Sequence, residues 1–580
     1  MLHVRRIFGT SVRKYCQGWT LKSHSCGNIR AQHVGDKVSE CYIKNERLNT
    51  KSFQVQLIGW IQHSRFDKFF MLRDRTGLVQ LVFDEALTNA PLESCLSIEG
   101  TVVARPSEMI NPKLLTGDIE IHVTKVNEIN RAKLKLPFYI KPHNTAKESL
   151  RLQHRYLDLR HSWIQDNLKV RSDMTLKMRQ FLQSEGFLDI ETPTLFRRTP
   201  GGAQEFVVPT HLEDHFYSLV QSPQQFKQLL MVGGVEKYYQ IARCYRDEGS
   251  RPDRQPEFTQ VDIELSFTSA EKVRALVETM LKKVWPSNLP MDPFPQLEYK
   301  ECISKFGSDK PDLRIGNEIQ DLSPIAKTIL FKNDQIKDLS RSAAKKMEKE
   351  YSDQHCRISF CYKDNGEIKT GVKKLLDEKT LKKIEQCDFD IAFIAIGADE
   401  TKSQETLGKI RTLVIDSYMD LSPDLLKFLW VIDFPLFETS EDGSLESAHH
   451  PFTRPLDQDL HLLKSRPDLV RGQHYDLVLN GQEIGGGSMR IHESELQEYI
   501  LQDILKVDTT ELSHMLEALS FGCPPHGGIA LGLDRLVAII CKAKSIRDVI
   551  AFPKTTEGKD LMSGSPATIS SQDKLYYHLK

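Results

Sequence analysis

Four short polar tracts, spaced along a single chain of 580 residues, constrain its fold more than any other feature. They are Gln221-Ser222-Pro223-Gln224-Gln225-Phe226-Lys227, Tyr245-Arg246-Asp247-Glu248, Glu483-Ile484-Gly485-Gly486-Gly487-Ser488-Met489-Arg490 and Gly528-Ile529-Ala530-Leu531-Gly532-Leu533-Asp534-Arg535. Each sets an arginine, a lysine or a carboxylate beside a strand or helix end. Small residues in the last tract mark a strand-to-helix junction, where backbone can approach a nucleotide and a helix N-terminus favours phosphate. Brought together, such groups suit a triphosphate and a small acidic substrate. A fold that unites them has to fold distant segments round one charged cavity.

Hydrophobic content of 40% and charged content of 27% describe a globular chain long enough for about three to five domains. The longest apolar runs, such as Leu536-Val537-Ala538-Ile539-Ile540-Cys541, fall short of the ~20 residues that span a bilayer, so no membrane insertion is expected. A net charge of −1 gives no global basic field, and any nucleic-acid partner must meet a local basic face. The 11 cysteines form no CxxC pair; Cys356 and Cys361 are nearest, with no second pair to complete a zinc set. Reduced thiols in an intracellular compartment follow. Arg5, Arg6, Arg13, Lys14, Lys22 and Arg30 precede the first acid, Asp36, beside an amphipathic Leu2, Val4, Ile7 and Phe8. That is the composition of a mitochondrial presequence, expected over 1–27, against the plainer reading of a disordered basic tail.

Period-two patterning starts near Gln54. Strands are predicted at 55–61, 69–77, 78–83 and 97–104, with Gly turns, as in a small antiparallel barrel such as an OB-fold. A helix is predicted from Leu168 through Val170, Met174, Met178, Phe181 and Leu182 to Gly186, then an extended 187–193. A second helix has Ser222 as N-cap, Pro223 at its first position and Gln225 closing a capping box, and stops at Gly233-Gly234. Residues 316–423 interrupt the tracts with helical 341–350 and 373–383 and a buried strand at 391–396, the pattern of an inserted α/β domain.

Holding a reacting triphosphate requires positive charge on the phosphates and a fixed geometry. Arg246 suits this, because a guanidinium grips two oxygens at once, and Glu248 can accept from the adenine amino group. Taken alone, both are surface charges. Asp476 and Glu483 flank 477–482, and carboxylates facing a triphosphate require Mg²⁺ between them. Gln224 and Lys227, three apart, share a helix face. A Lys227–Arg490 pair aimed at one small pocket would select a side-chain carboxylate over its amide.

The ordered set resembles the class II aminoacyl-tRNA synthetases, and most closely the bacterial-type aspartyl-tRNA synthetases of the kind used in mitochondria. The resemblance implies an α/β multidomain chain: an N-terminal OB-fold β-barrel, an antiparallel-sheet catalytic domain with helices, and the inserted α/β domain. The expected boundaries are a presequence 1–27, an anticodon-binding barrel 28–135, a hinge 136–155, catalytic segments 156–315 and 424–555 split by the insertion 316–423, and a tail 556–580. It further implies that Arg246 and Arg535 are catalytic, with Asp247, Glu248, Gln255, Glu483, Gly532, Leu533 and Asp534 completing the ATP site. Gln224, Gln225, Phe226, Lys227, Arg246, His449 and Arg490 would hold aspartate, and Asp476 and Glu483 the Mg²⁺. Arg65, Phe69 and Gln80 would read the anticodon, with Phe69 stacked on a base; without the resemblance Phe69 reads as core.

The implied reaction forms aspartyl-adenylate and pyrophosphate from L-aspartate and ATP. Aspartate then passes to the 3′ end of tRNA-Asp, in the mitochondrial matrix, on a homodimer. Gly201 departs from the family, where many bacterial relatives carry a glutamate on a loop that closes over the amino acid. Asparaginyl- and lysyl-tRNA synthetases are the nearest rivals, separable by Lys227 and Arg490. An asparagine synthetase on the same core has no use for the barrel, and a non-catalytic RNA-binding paralogue has no use for Arg246, Glu483 and Arg535.

Overall fold

A computed structural model describes residues 53–579 except 67, 85–88, 142–145, 200–201, 249–253, 288, 290–291, 338, 370 and 441. The expected presequence and Gly201 lie outside the described residues. The chain divides into two compact units, one reaching to Asp166 and joined by Asp560–Gly564, the other comprising Asn167–Lys559 and Ser565 onward. No helix among the described residues is long and apolar enough to cross a membrane. The described cysteines are free thiols, and Cys356 and Cys361 are both buried.

In the first unit, β1 (Phe53–Arg65), β2 (Phe69–Asp74), β3 (Gly77–Val82), β4 (Cys95–Ala104) and β5 (Ile119–Asn130) close into a barrel of order β1-β2-β3-β5-β4. Alternation explains it. Val55, Leu57 and Ile61 turn inward to meet Leu72, Val79, Leu81, Leu96, Ile98 and Ile121, while Gln54 and Gln56 stay outside. Phe70 and Phe83 meet edge to face at 4.9 Å in the same core. Asp74 fixes the turn between β2 and β3 by accepting from the backbone N–H of Thr76 and Gly77. β5 had no sequence expectation, because Glu120, Lys125 and Glu128 interrupt its apolar pattern.

The second unit is built on an eight-stranded sheet. Its order is Gln296–Glu298, Phe428–Ile432, His474–Leu479, Gln482–Met489, His526–Gly532, Glu257–Ser266, Lys237–Tyr245 and Leu188–Asp189. Its pairs are antiparallel except the outermost pair at each edge. One face packs against the helices Ser162–Ser184, Ala270–Val284 and Leu533–Ile540, whose Met178, Leu182, Val277, Leu281, Leu536 and Val537 bury against Val261, Ile263, Ile529 and Leu531. The helix predicted from Leu168 begins at Ser162, and the extended 187–193 pairs only at Leu188–Asp189.

The inserted stretch folds on a separate five-stranded antiparallel sheet, in the order Ile319–Ser323, Ala326–Phe331, Ile391–Ile396, Arg357–Asp364 and Glu367–Lys369. Its unbroken apolar strand, Ile391–Ile396, is covered on both faces: Phe393 and Ala395 enter one core, Ala392 and Ile394 the other. The helix Arg341–Glu350 forms as expected. The expected 373–383 helix is instead a short 3₁₀ turn, Gly371–Lys374, followed by a helix at Glu378–Gln386, which Asp377 caps through the Thr380 N–H.

Candidate active site

The other face of the eight-stranded sheet floors a cavity of about 1310 Å³. Strand register explains both its charge and its room. Asp262, Ala530, Gly486 and Asp476 lie opposite one another across four strands; Glu264, Gly528, Ser488 and His474 form the next row. Charged residues stand on the flanking strands, and small ones on the central strands leave the space between. A Cβ on Gly528 would strike the Glu264 carboxylate, and one on Gly486 would stand 2.6 Å from Asp476 Oδ1. Three successive glycines, 485–487, are needed because the opposite face is crowded too: Leu531 fills the space beside Gly485 and the Tyr475 ring the space beside Gly487.

At one end two buried cations share two buried carboxylates. Lys227 Nζ lies 3.1 Å from Asp262 Oδ1 and 3.3 Å from Glu264 Oε2; Arg490 Nε donates to Glu264 Oε1 at 3.0 Å. Arg490 also donates to Ser488 Oγ at 2.6 Å and meets His450 Nε2 at 2.5 Å. The cations are therefore not bare, and a further carboxylate would join a balanced quartet. Burial, only partly countered by Lys227, raises Asp262 above the usual carboxylate range. Burial would also raise Glu264, but Arg490 and then Lys227 outweigh it and hold this carboxyl low. Gln224 lines the same end with its buried Nε2 unpartnered among the described residues.

The helix bearing Lys227 departs from expectation. It runs Gln224–Val232 with Pro223 as N-cap and no side-chain cap bond, so the Ser222 capping box does not form. Gln225 instead donates to Thr199 Oγ1 and bonds His514 Nε2, while Phe226 packs on Phe196 at 4.6 Å. Neither lines the cavity, because the 3.6-residue turn that brings in Gln224 and Lys227 carries both elsewhere.

Asp476, Glu483, His449 and His474 line another part of the wall. His474 Nε2 is 2.8 Å from Asp476 Oδ1, His449 Nε2 is 4.0 Å from Oδ2, and the two rings stack at 3.4 Å against Phe434. Burial pushes both imidazoles down to about 3, reinforced at His449 by His474 and at His474 by Arg490, so both are neutral. Burial pushes Asp476 up to about 6; the Asp476 charge, then burial, raises Glu483. A buried carboxylate beside a second one whose acidity it weakens fits a divalent cation, and Mg²⁺, which prefers oxygen, suits the pair better than the imidazoles.

At the far end, Arg246 crosses the Phe258 ring at 5.1 Å with its buried Nε unpartnered among the described residues. Asp247 lines the cavity, and Glu248 there pairs with Arg254. Both ends of the Gln255 amide are engaged by the Lys554 backbone, which fixes the cavity-lining segment that follows. Gly532 is the N-cap of Leu533–Ile540, and Arg535 donates from the first turn to the Glu483 carbonyl. Leu533 is core. Asp534 does not pair with Arg535; it accepts from Arg171 at 2.5 Å and from the Thr259 N–H at 2.9 Å, tying helix to sheet.

Sequence reading had no role for Asp262, Glu264, His450, His474 or Ser488. A usable signal was present for two of them: Asp262 and Glu264 alternate with Val261 and Ile263, so period two puts both acids on one face of a buried strand. In the other unit, register lines up Arg65, Phe69 and Val82, and next to them His63, Met71 and Gln80, on the barrel's outside. Phe69 is 40% exposed, not core.

Comparison with known proteins places the chain in a family. The profile of class II tRNA synthetases (D, K and N) matches residues 147–556. The mitochondrial aspartate–tRNA ligases of Rattus norvegicus and Homo sapiens are 46% and 44% identical, over 96% and 97% of this chain and 89% and 91% of theirs. An aspartate–tRNA(Asp/Asn) ligase of Thermoanaerobacter pseudethanolicus is 39% identical over 96% of this chain and 98% of its own. Among solved structures, a putative aspartyl-tRNA synthetase from Leishmania major Friedlin shares the fold at a TM-score of 0.55 and 20% identity, covering 88% of this chain and 92% of that one. This chain belongs to the class II tRNA synthetases of the aspartate, lysine and asparagine group, and within them to the aspartate–tRNA ligases of mitochondrial type.

Proposed function

We propose that this chain condenses L-aspartate with ATP to aspartyl-adenylate, releasing pyrophosphate, and passes the aspartyl group to the 3′-hydroxyl of tRNA-Asp in the mitochondrial matrix. The observation that carries the reading is the buried quartet Lys227, Asp262, Glu264 and Arg490, of which Lys227, Asp262 and Arg490 line one cavity with Arg246 and Arg535. Lys227 and Arg490 take the substrate's side-chain carboxylate. An amide there would face the same donors without the compensating charge, which disfavours asparagine. Gln224 and Asp262, each with a buried polar atom unpartnered among the described residues, supply further polar contacts for the amino acid. His449 closes the pocket beside Asp476 as a neutral ring.

The α-carboxylate attacks the ATP α-phosphate in line, and pyrophosphate leaves. Arg246 holds the α-phosphate and Arg535, with the helix start at Gly532, the γ-phosphate, so charge is stabilised without a side-chain nucleophile. Asp476 and Glu483 would hold Mg²⁺, which neutralises phosphate charge. On the barrel, Arg65, Phe69 and Gln80 read the anticodon. The working form is a homodimer, and residues 1–27 direct import.

Amino-acid-dependent pyrophosphate exchange tests the chemistry. Aspartate alone among the amino acids should support it. Arg246→Ala and Arg535→Ala should each lose roughly 3 kcal/mol or more of transition-state stabilisation while remaining folded. Near-normal exchange in either variant, or exchange with asparagine, sinks the assignment.

A further inference from the structure

Lys310 lies outside every tract singled out in the sequence, yet it reaches the carboxylate pair. Its Nζ stands 3.9 Å from Glu483 Oε2 and 3.2 Å from Asp309 Oδ2. Lys310 belongs to a strap, residues 308–315, that leaves the helix Tyr299–Phe306 through Gly307 in the left-handed conformation (φ 63°).

The inserted domain fastens this strap. Arg411, buried on the helix Glu400–Tyr418, donates from its terminal nitrogen to the carbonyl oxygens of Asp312 at 2.8 Å and Ile315 at 3.0 Å, and from Nε to that of Asn317 at 2.9 Å. Its guanidinium also covers the Phe306 ring at 5.0 Å. Beside it the two helices meet at glycine: a Cβ on Gly307 would stand 2.8 Å from Gly408 Cα. Asp312 stiffens the strap further by taking the Arg314 backbone N–H and both sides of its guanidinium. Two carbonyls of the strap and one just beyond it on one guanidinium leave the strap little freedom, so the insertion fixes where Lys310 stands.

We propose that Lys310 is the resident counter-charge of the Asp476–Glu483 pair, held in place by the inserted domain, and that a divalent cation enters the pair against its ammonium. The inference rests on the placement of Mg²⁺ at those two residues. An ammonium within 4 Å of one carboxylate relieves the repulsion between the two while no cation is present. The same charge opposes a second cation, so the site favours metal that arrives with the negative oxygens of the triphosphate. Lys310 is a positioning residue here, acting through Glu483. Its side chain is 44% exposed, and solvent screening keeps the effect moderate.

Binding of Mn²⁺ alone to the metal-free, nucleotide-free full chain, followed by electron paramagnetic resonance, tests this directly. Lys310→Met should tighten Mn²⁺ binding roughly tenfold, and Lys310→Arg, which keeps the charge, should stay within about twofold of the parent. Glu483→Gln should weaken binding. The Mg²⁺ concentration giving half-maximal pyrophosphate exchange should fall in Lys310→Met alone. Unchanged or weaker Mn²⁺ binding in Lys310→Met, with Glu483→Gln still impaired, overturns the role of Lys310 and leaves the metal placement standing. Parent-like binding in Glu483→Gln overturns both.

Discussion

The barrel's outer face and the floor of the catalytic cavity are both antiparallel sheet surfaces carrying polar groups, but they hold them in opposite ways. On the barrel, Arg65 and Phe69 are exposed, and their alignment comes from strand register with little side-chain pairing; among the described residues Arg65 bonds to neighbouring His63. At the cavity, Lys227, Asp262, Glu264 and Arg490 are at most 2% exposed and joined by ion pairs. The difference follows from what each surface is proposed to handle. A splayed base is bound by stacking, which needs an open ring face and tolerates movement. Developing charge is stabilised by groups fixed beforehand in a low-dielectric site, which needs burial and mutual pairing.

The comparison breaks first at Lys227. Lys227→Met leaves Glu264 with Arg490 but takes from Asp262 its ion-pair partner, an uncompensated buried charge that costs about 3–5 kcal/mol. We expect a lowered melting midpoint together with loss of aspartate activation. A variant that melts like the parent would mean the quartet is not interlocked, and the contrast with the barrel would dissolve. Phe69→Ala sharpens it from the other side. Truncating this half-exposed ring should leave barrel stability nearly unchanged and cost roughly 1–3 kcal/mol of tRNA binding, with pyrophosphate exchange intact. Its neighbour Phe70, 6% exposed against Phe83, is the control: Phe70→Ala should destabilise the barrel by about 3–5 kcal/mol. Equal melting losses in the two variants would return Phe69 to the core.

Much of this is legible in the amino-acid sequence, and the limits are physical. The barrel strands, the insertion and the strand Ile391–Ile396 announce themselves because burial imposes a period, or a continuous apolar run, on local sequence. The junction at Gly532 is legible because small residues are required there. What stayed hidden depends on contacts remote in sequence. Ser222 looks like a cap, yet the chain enters the helix one residue later and Gln225 finds Thr199 and His514. Of the adjacent pair His449 and His450, the resemblance pointed to the first, whereas the second meets Arg490. Lys310 carries no local signal at all, because its position is set by Arg411, about a hundred residues further on.

The smallest expected effect is at Gln80, and it tests whether the barrel face is as unconstrained as Phe69 suggests. Gln80 Nε2 already donates to Glu120 Oε2 at 3.1 Å, and Glu120 in turn lies 3.2 Å from His122. A base edge that takes the amide nitrogen must first displace Glu120, so the net gain is one exchanged hydrogen bond. Gln80→Ala should therefore weaken tRNA binding by only about 0.5–1.5 kcal/mol, less than Phe69→Ala. Gln80→Glu should do more harm than alanine, because it sets a second carboxylate beside Glu120 on a surface proposed to meet tRNA phosphate. Filter binding of the tRNA across the three variants, with melting curves to exclude unfolding, ranks them. A loss at Gln80→Ala equal to that at Phe69→Ala would show that this face, like the cavity, depends on a paired polar group.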